Sequence, residues 1–296
     1  MEKLKGLAID SKTIGDVNIS PISGDEYKLV FIDDFDGDTL NEEYWTIREQ
    51  NANSSEGQVN KAENITLENS NLVFTCKVES ATCYDRHYDK TYHKDFTGGK
   101  IDTQGKKNFQ YGRLEARMKL PYGRGIWPAF WTIGDHSVNG SKAWWPWGGE
   151  IDIMEMFGKT DEETAMAGGI YYYPPQDYEN FDYSTAKTMS KTPGIPTPKL
   201  PASTYSDDFH VYGIEWTEEK LTFYFDDTIT GELDITDYDF SFAMHNPHML
   251  ILNFAVEGFG LIPNSGGERK YDGREPEKTG TWPKQLLVDW VKVWQK

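Results

Sequence analysis

Residues 111–121 read YGRLEARMKLP. Arg113, Glu115, Arg117 and Lys119 share the parity of Tyr111, whereas Leu114, Ala116, Met118 and Leu120 take the other. Successive side chains of a strand point to opposite faces, so the second set makes an apolar face that packs inward. The polar set faces either solvent or a substrate cleft.

Segments of the same length recur on both sides of this one. YKLVFIDDFDG, SNLVFTCKV, GIWPAFWTIG, GEIDIMEMF, AGGIYYY, FHVYGIEW, KLTFYFDD, HMLILNFAV and LLVDWVKVW are each bounded by Gly, Pro, Asn or Asp. Long helical periodicity is absent. The pattern predicts an all-β chain built as a sandwich of two large antiparallel sheets. Composition agrees, with 10 Trp, 17 Tyr, 15 Phe and 27 Gly supplying pleated-surface and turn residues. A chain of 296 residues buries a sizeable core without staples. Residues 1–26 lack the rhythm and are expected to form an arm or an early edge strand, leaving 27–296 as one domain. Residues 174–208 hold six of the 14 prolines and read as a functional loop or a flexible insertion.

Charge narrows the partners. With 48 acidic and 30 basic side chains the formal net charge is −18, which opposes binding to nucleic acid and weakens a case for anionic membranes or sulfated polymers. No apolar run is long enough for a membrane span. The first twenty residues carry no apolar signal core, so either the protein is cytoplasmic or a signal has been removed. Cys76 and Cys83 can close one small loop or stay free.

The chemistry concentrates in WPWGGEIDIMEMFG, residues 145–158. On a regular strand Glu150 and Asp152 share a face and Glu155 points the other way, into the core with Ile151 and Ile153. A bare carboxylate there is costly. One extra residue, a β-bulge near Ile153 or Met154, returns Glu155 to the face of the other two. Three carboxylates on one face repel, which raises at least one pKa and keeps that group protonated near neutral pH. Retaining glycoside hydrolysis uses such a set, an ionised nucleophile with a protonated acid. The spacing alone does not separate retention from inversion, and an acidic strand edge that is solvated or binds a cation fits the same residues.

The preceding segment, GIWPAFWTIG, puts Trp127, Ala129 and Trp131 on one face, a small residue between two indoles. Core packing is the plain account of any one Trp. Beside a carboxylate strand, however, an indole pair suits stacking on the C–H faces of sugars. Trp144, Trp145 and Trp147 lie in the connecting loop, and Trp147 is expected to join the substrate-binding set.

At these residues the chain resembles glycoside hydrolase family 16 in its laminarinase-like, bulge-containing form. GEIDIMEMFG matches the E-x-D-x-x-E signature, and the likeness runs from about Tyr27 to Trp294 through the segments quoted above. The resemblance implies a concanavalin-like β-jelly roll with a concave cleft, and retaining endo-hydrolysis of β-glucans. By position, Glu150 would be the nucleophile, Glu155 the general acid and then base, and Asp152 the group that tunes Glu150. Trp127 and Trp131 would line the cleft, Arg113 or Arg117 would contact substrate, and Asn53 lies where the family often places a sugar-binding Asn. A structural calcium of the family would fall on Asp34 and Asp289. One departure is clear: the strand after the catalytic one reads TAMAGGIYYY, without the His that laminarinase-like members carry in T-x-H-x-G, so linkage preference stays open.

Other motifs fall away. DDFDGDTLNEEYW misplaces the first position of an EF-hand onto Ile32. The six histidines make no H-E-x-x-H, and there is no G-x-S-x-G elbow or P-loop. The expected function is therefore a retaining endo-β-glucanase for β-1,3 or mixed β-1,3/1,4 glucans, secreted or at the cell surface and monomeric. The alternatives are a non-catalytic carbohydrate-binding jelly roll, and a family member acting on agar or carrageenan or as a transglycosylase.

Overall fold

A computed structural model describes residues 12–50, 52, 56–85, 89–139, 145–158, 164–172, 189–191, 202–226, 228–237, 240–256 and 281–296. The chain is all-β, as the alternation predicts. In order, its strands are β1 (Val17–Ile19), β2 (Glu26–Asp33), β3 (Thr46–Ile47), β4 (Gln58–Asn60), β5 (Ile65–Leu67) and β6 (Leu72–Asp85). There follow β7 (Lys90–Asp102), β8 (Gly112–Lys119), β9 (Ile126–Gly134), β10 (Glu150–Gly158), β11 (Thr164–Tyr172) and β12 (Met189–Lys191). The last are β13 (His210–Trp216), β14 (Lys220–Phe225), β15 (Thr228–Asp234), β16 (His248–Val256) and β17 (Lys284–Gln295).

Pairing sorts all but β4, which runs parallel to β7, into two antiparallel sheets. The first runs β1–β2–β17–β8–β13–β14–β15, with β6 and then β5 continuing from the other half of the β17 edge. The second runs β3–β7–β16–β9–β10–β11–β12. The long β6–β7 hairpin joins them. Residues 72–76 of β6 pair with β17, and residues 99–102 of β7 pair with β16. The core lies between the sheets: Leu114, Ala116, Met118 and Leu120 of the first are buried, as are Ile126, Phe130, Leu250, Leu252 and Phe254 of the second.

At Arg113 and Glu115 the polar face of β8 finds neither solvent nor cleft, while Arg117 and Lys119 stay partly exposed. Arg113 is 0% and Glu115 1% exposed. Residues 17–20, expected in a loose arm or edge strand, form β1 and a turn that cover this face. Asn18 accepts from Arg113 at 2.8 Å, and Ser20 donates to Glu215. Charges removed from water must be paired. Arg113 meets Glu115 at 2.5 Å and stacks on Trp294, and Tyr224 donates to the same carboxylate at 2.7 Å. Cys76 and Cys83 are both free thiols.

Candidate active site

The bulge is in β10. Asp152 pairs with Trp131 and Glu155 with Ala129, so three steps along β10 match two along β9. On the other side Asp152 pairs with Gly169 and Glu155 with Ala167, again three against two. The extra residue lies between Asp152 and Glu155, where a carboxylate would otherwise enter the core. Ile151, Ile153, Met154 and Met156 are buried, and Glu155 stays on the face of Glu150 and Asp152.

That face floors a cleft of about 340 Å³, walled by Trp127 and Trp131 from β9, Asn253 from β16 and Glu56. Each indole is tied down. Trp127 donates to Glu155 Oε1 at 2.9 Å, with its ring on Phe157 at 5.2 Å between centroids. Trp131 donates to Asn253 Oδ1 at 2.7 Å, and the Lys100 ammonium lies 4.6 Å from its ring centre. The turn before β10 supplies a third indole: Trp145, 43% exposed, donates to Glu150 Oε2. Gly149 makes this turn possible, because its φ of +77° is unfavourable for other residues and a Cβ would strike the Ala243 carbonyl.

Electrostatics separates the carboxyls. Asp152 is buried, and desolvation with the charges of Glu150 and Glu155 pushes its pKa well above the usual carboxylate range. Glu150 is raised by desolvation too, against the hydrogen bonds from Trp145 and Asp152 and the charge of Lys100. The larger rise falls on Asp152, and the interaction between the two raises Asp152 while it lowers Glu150. Tyr171 faces Glu150 directly across β11, and burial with the three nearby carboxylates pushes its phenol up to about 12.

Of the residues expected from sequence, Glu150, Asp152, Glu155, Trp127 and Trp131 come together here. Arg113 and Arg117 do not. They sit on the first sheet, Arg113 buried as described and Arg117 paired with Asp289 at 2.5 Å and stacked on Phe209. Trp147 is buried, turned back by the tight turn in which Gly149 N–H donates to Pro146 O, so Trp145 takes the cleft position. Asn53 lies outside the described residues, as does most of the stretch 174–208. The calcium pair fits poorly: the Asp289 carboxylate is spent on Arg117, and among the described residues no group of three His, Cys, Asp or Glu side chains could hold a metal ion. Sequence reasoning missed Asn253, although alternation in HMLILNFAV marks it as the polar residue on the face opposite Leu250, Leu252 and Phe254. It missed Glu56, Lys100 and Tyr171 as well, and Glu56, in the turn-rich stretch SSEGQVN, had no periodic signal.

Comparison with known proteins places this geometry. A model of the beta-porphyranase A–D GH16 domain matches residues 29–296. A beta-glucanase of Rhodothermus marinus is 33% identical over 208 residues, 68% of this chain and 63% of that protein. Glucan endo-1,3-beta-glucosidase A1 of Niallia circulans is 25% identical over 283 residues, 90% of this chain and 38% of that protein. The chain thus spans less than two thirds of the length of either relative. The endo-beta-1,3-glucanase structure from Pyrococcus furiosus superposes with a TM-score of 0.67 at 28% identity, covering 94% of this chain and 97% of the other.

Proposed function

The chain belongs to glycoside hydrolase family 16, and from that footing we propose that residues 27–296 form the catalytic domain of a retaining endo-β-glucanase. The observation that carries the reading is the bulge between Asp152 and Glu155, which leaves three carboxyls on one face of an indole-walled cleft. In this reading Glu150 attacks the anomeric carbon while Glu155 gives its proton to the departing glycosidic oxygen. Glu155 then takes a proton from water, which displaces Glu150 from the glycosyl-enzyme. Asp152 holds its proton toward Glu150 and so keeps the nucleophile ionised and oriented. Trp127 and Trp131 carry the sugar rings by stacking.

The β-1,3 or mixed-linkage glucan as substrate is supported by the glucanase names of the relatives. A secreted or cell-surface location fits a polymeric substrate, and no helix among the described residues is long and apolar enough to cross a membrane. A porphyran-type polymer is a second reading, favoured by the name of the matching family model. Lys100 favours it too. Its ammonium sits over Trp131 and, among the described residues, has no carboxylate within ion-pair distance, so it suits an anionic substituent on the sugar.

Reducing-end release from laminarin, barley β-glucan, agarose and porphyran tests both, with Glu150→Gln as the control. Release from laminarin or barley glucan that Glu150→Gln abolishes is expected. Binding of all four without release would end the hydrolase reading, and release from porphyran alone would decide for the second polymer.

A further inference from the structure

We propose that Tyr171 is a substrate-binding residue of the nucleophile's own subsite, donating its phenolic O–H to the 2-hydroxyl of the sugar that Glu150 attacks. This rests on the reading of Glu150 as the nucleophile of a glycanase. Tyr171 and Glu150 are direct partners in the β10–β11 ladder, and directly opposed residues of an antiparallel pair put their side chains on the same face, about 5 Å apart at Cβ. The next pair on that face, Asp152 with Gly169, offers no side chain on the β11 side. Tyr171 is therefore the β11 group that flanks the nucleophile.

Two further observations point outward from the protein. Tyr171 is 38% exposed, and among the described residues its hydroxyl has no hydrogen-bond partner. By contrast, the buried Tyr224 hydroxyl is satisfied by Glu115. A donor beside three carboxyls and left without a protein acceptor is placed for a ligand. Burial and the surrounding negative charge also hold the phenol protonated through the range in which such a site works, so it acts as a donor throughout.

Chemistry selects the sugar atom. A group beside the nucleophile reaches the atoms bonded to the anomeric carbon, the ring oxygen and the carbon bearing the 2-hydroxyl. A donor to the ring oxygen would oppose the positive charge that develops there in the transition state. A donor to the 2-hydroxyl oxygen leaves that hydroxyl's own proton free to point at Glu150, and contacts to this group tighten in the transition state. The strand that departs from the laminarinase pattern by lacking His thus supplies its own polar group, a neutral phenol, opposite Glu150 at the edge of the carboxyl face.

The test is a cycle between protein and substrate. Tyr171→Phe keeps the ring and removes the hydroxyl. Aryl β-laminaribiosides would be assayed with and without the 2-hydroxyl on the ring attacked, against wild type and Tyr171→Phe. We expect about a tenfold lower kcat for the variant on the hydroxylated substrate, with KM within about twofold and an unchanged melting temperature. On the 2-deoxy substrate the two enzymes should agree within about twofold. The same deficit on both substrates would overturn the contact, and so would no deficit on either. Failure of the underlying reading would show separately, as hydrolysis surviving in Glu150→Gln.

Discussion

The indole N–H of Trp127 donates to Glu155 Oε1 across 2.9 Å, linking the indole wall of the cleft to the carboxyl placed by the bulge. In the proposed reaction, binding and proton transfer therefore share one side chain. Trp127→Phe keeps an aromatic face and deletes the donor. A hydrogen bond to a charged group is worth roughly 1.5–3 kcal/mol, so kcat/KM should fall about tenfold to a hundredfold. Steady-state kinetics on barley glucan would check it. A loss confined to KM would mean that stacking alone accounts for the residue.

Asp152 has a cost to stability with a definite pH sign. Its native pKa is raised well above its unfolded value by burial and by Glu150 and Glu155. Above the ordinary carboxylate range the folded chain holds this proton more tightly than the unfolded chain does. Its favourable contribution is complete below about pH 4 and is lost as pH rises toward the raised native value. Asp152→Asn removes that loss, because the amide carries no charge to bury at high pH. The variant should melt a few degrees above wild type at pH 8, with the gap closing at pH 4. A gap independent of pH would refute the assignment.

His248 works in the opposite direction. Buried between Thr132 and the Ala243 carbonyl, with its ring on Trp216, it is held neutral, and desolvation lowers its pKa to about 4. The unfolded value is near 6.5. Its contribution is whole above pH 6.5 and is lost as pH falls toward 4, about 3 kcal/mol in all. His248→Gln should therefore cost most at pH 7.5 and clearly less at pH 4.5 in denaturant melts. An equal cost at both would mean that packing, and not titration, sets the role of His248.

What the sequence carried, and what it could not, divides along physical lines. Parity in a strand is local, so Leu114, Met118, Trp127 and Trp131 declared their faces. The bulge was legible because a bare Glu155 among Ile151 and Ile153 was untenable without it. Parity does not say what covers a face. Arg113 and Glu115 looked outward correctly, yet β1 lies over them. Arg117 likewise points away from the cleft sheet, and its partner Asp289 comes from 172 residues away. Trp145 and Trp147 sit in a turn whose reversal depends on Gly149, and no periodicity applies there.

Arg117→Ala tests that reassignment. The Arg117–Asp289 pair is about one third exposed on each side, and pairs of that kind contribute roughly 0–1 kcal/mol. We expect kcat and KM within about twofold of wild type on any active polymer, with a melting temperature lower by at most a few degrees. A rise in KM beyond about fivefold would return Arg117 to substrate binding.

The bulge itself can be removed. Deleting Met154 restores strict alternation after Asp152 and leaves Glu155 two positions on, still on the cleft face, with Ile153 and Met156 inward. The carboxyl set is kept and one buried side chain is lost, at a cost of roughly 2–5 kcal/mol for a buried Met. The melting temperature should therefore drop, while activity on any active polymer should persist within about tenfold in the folded fraction. Glu155→Gln with the bulge intact should keep the native melting temperature and lose activity. A folded deletion variant as inactive as Glu155→Gln would show that the extra residue sets more than the face of Glu155, namely its position along the cleft.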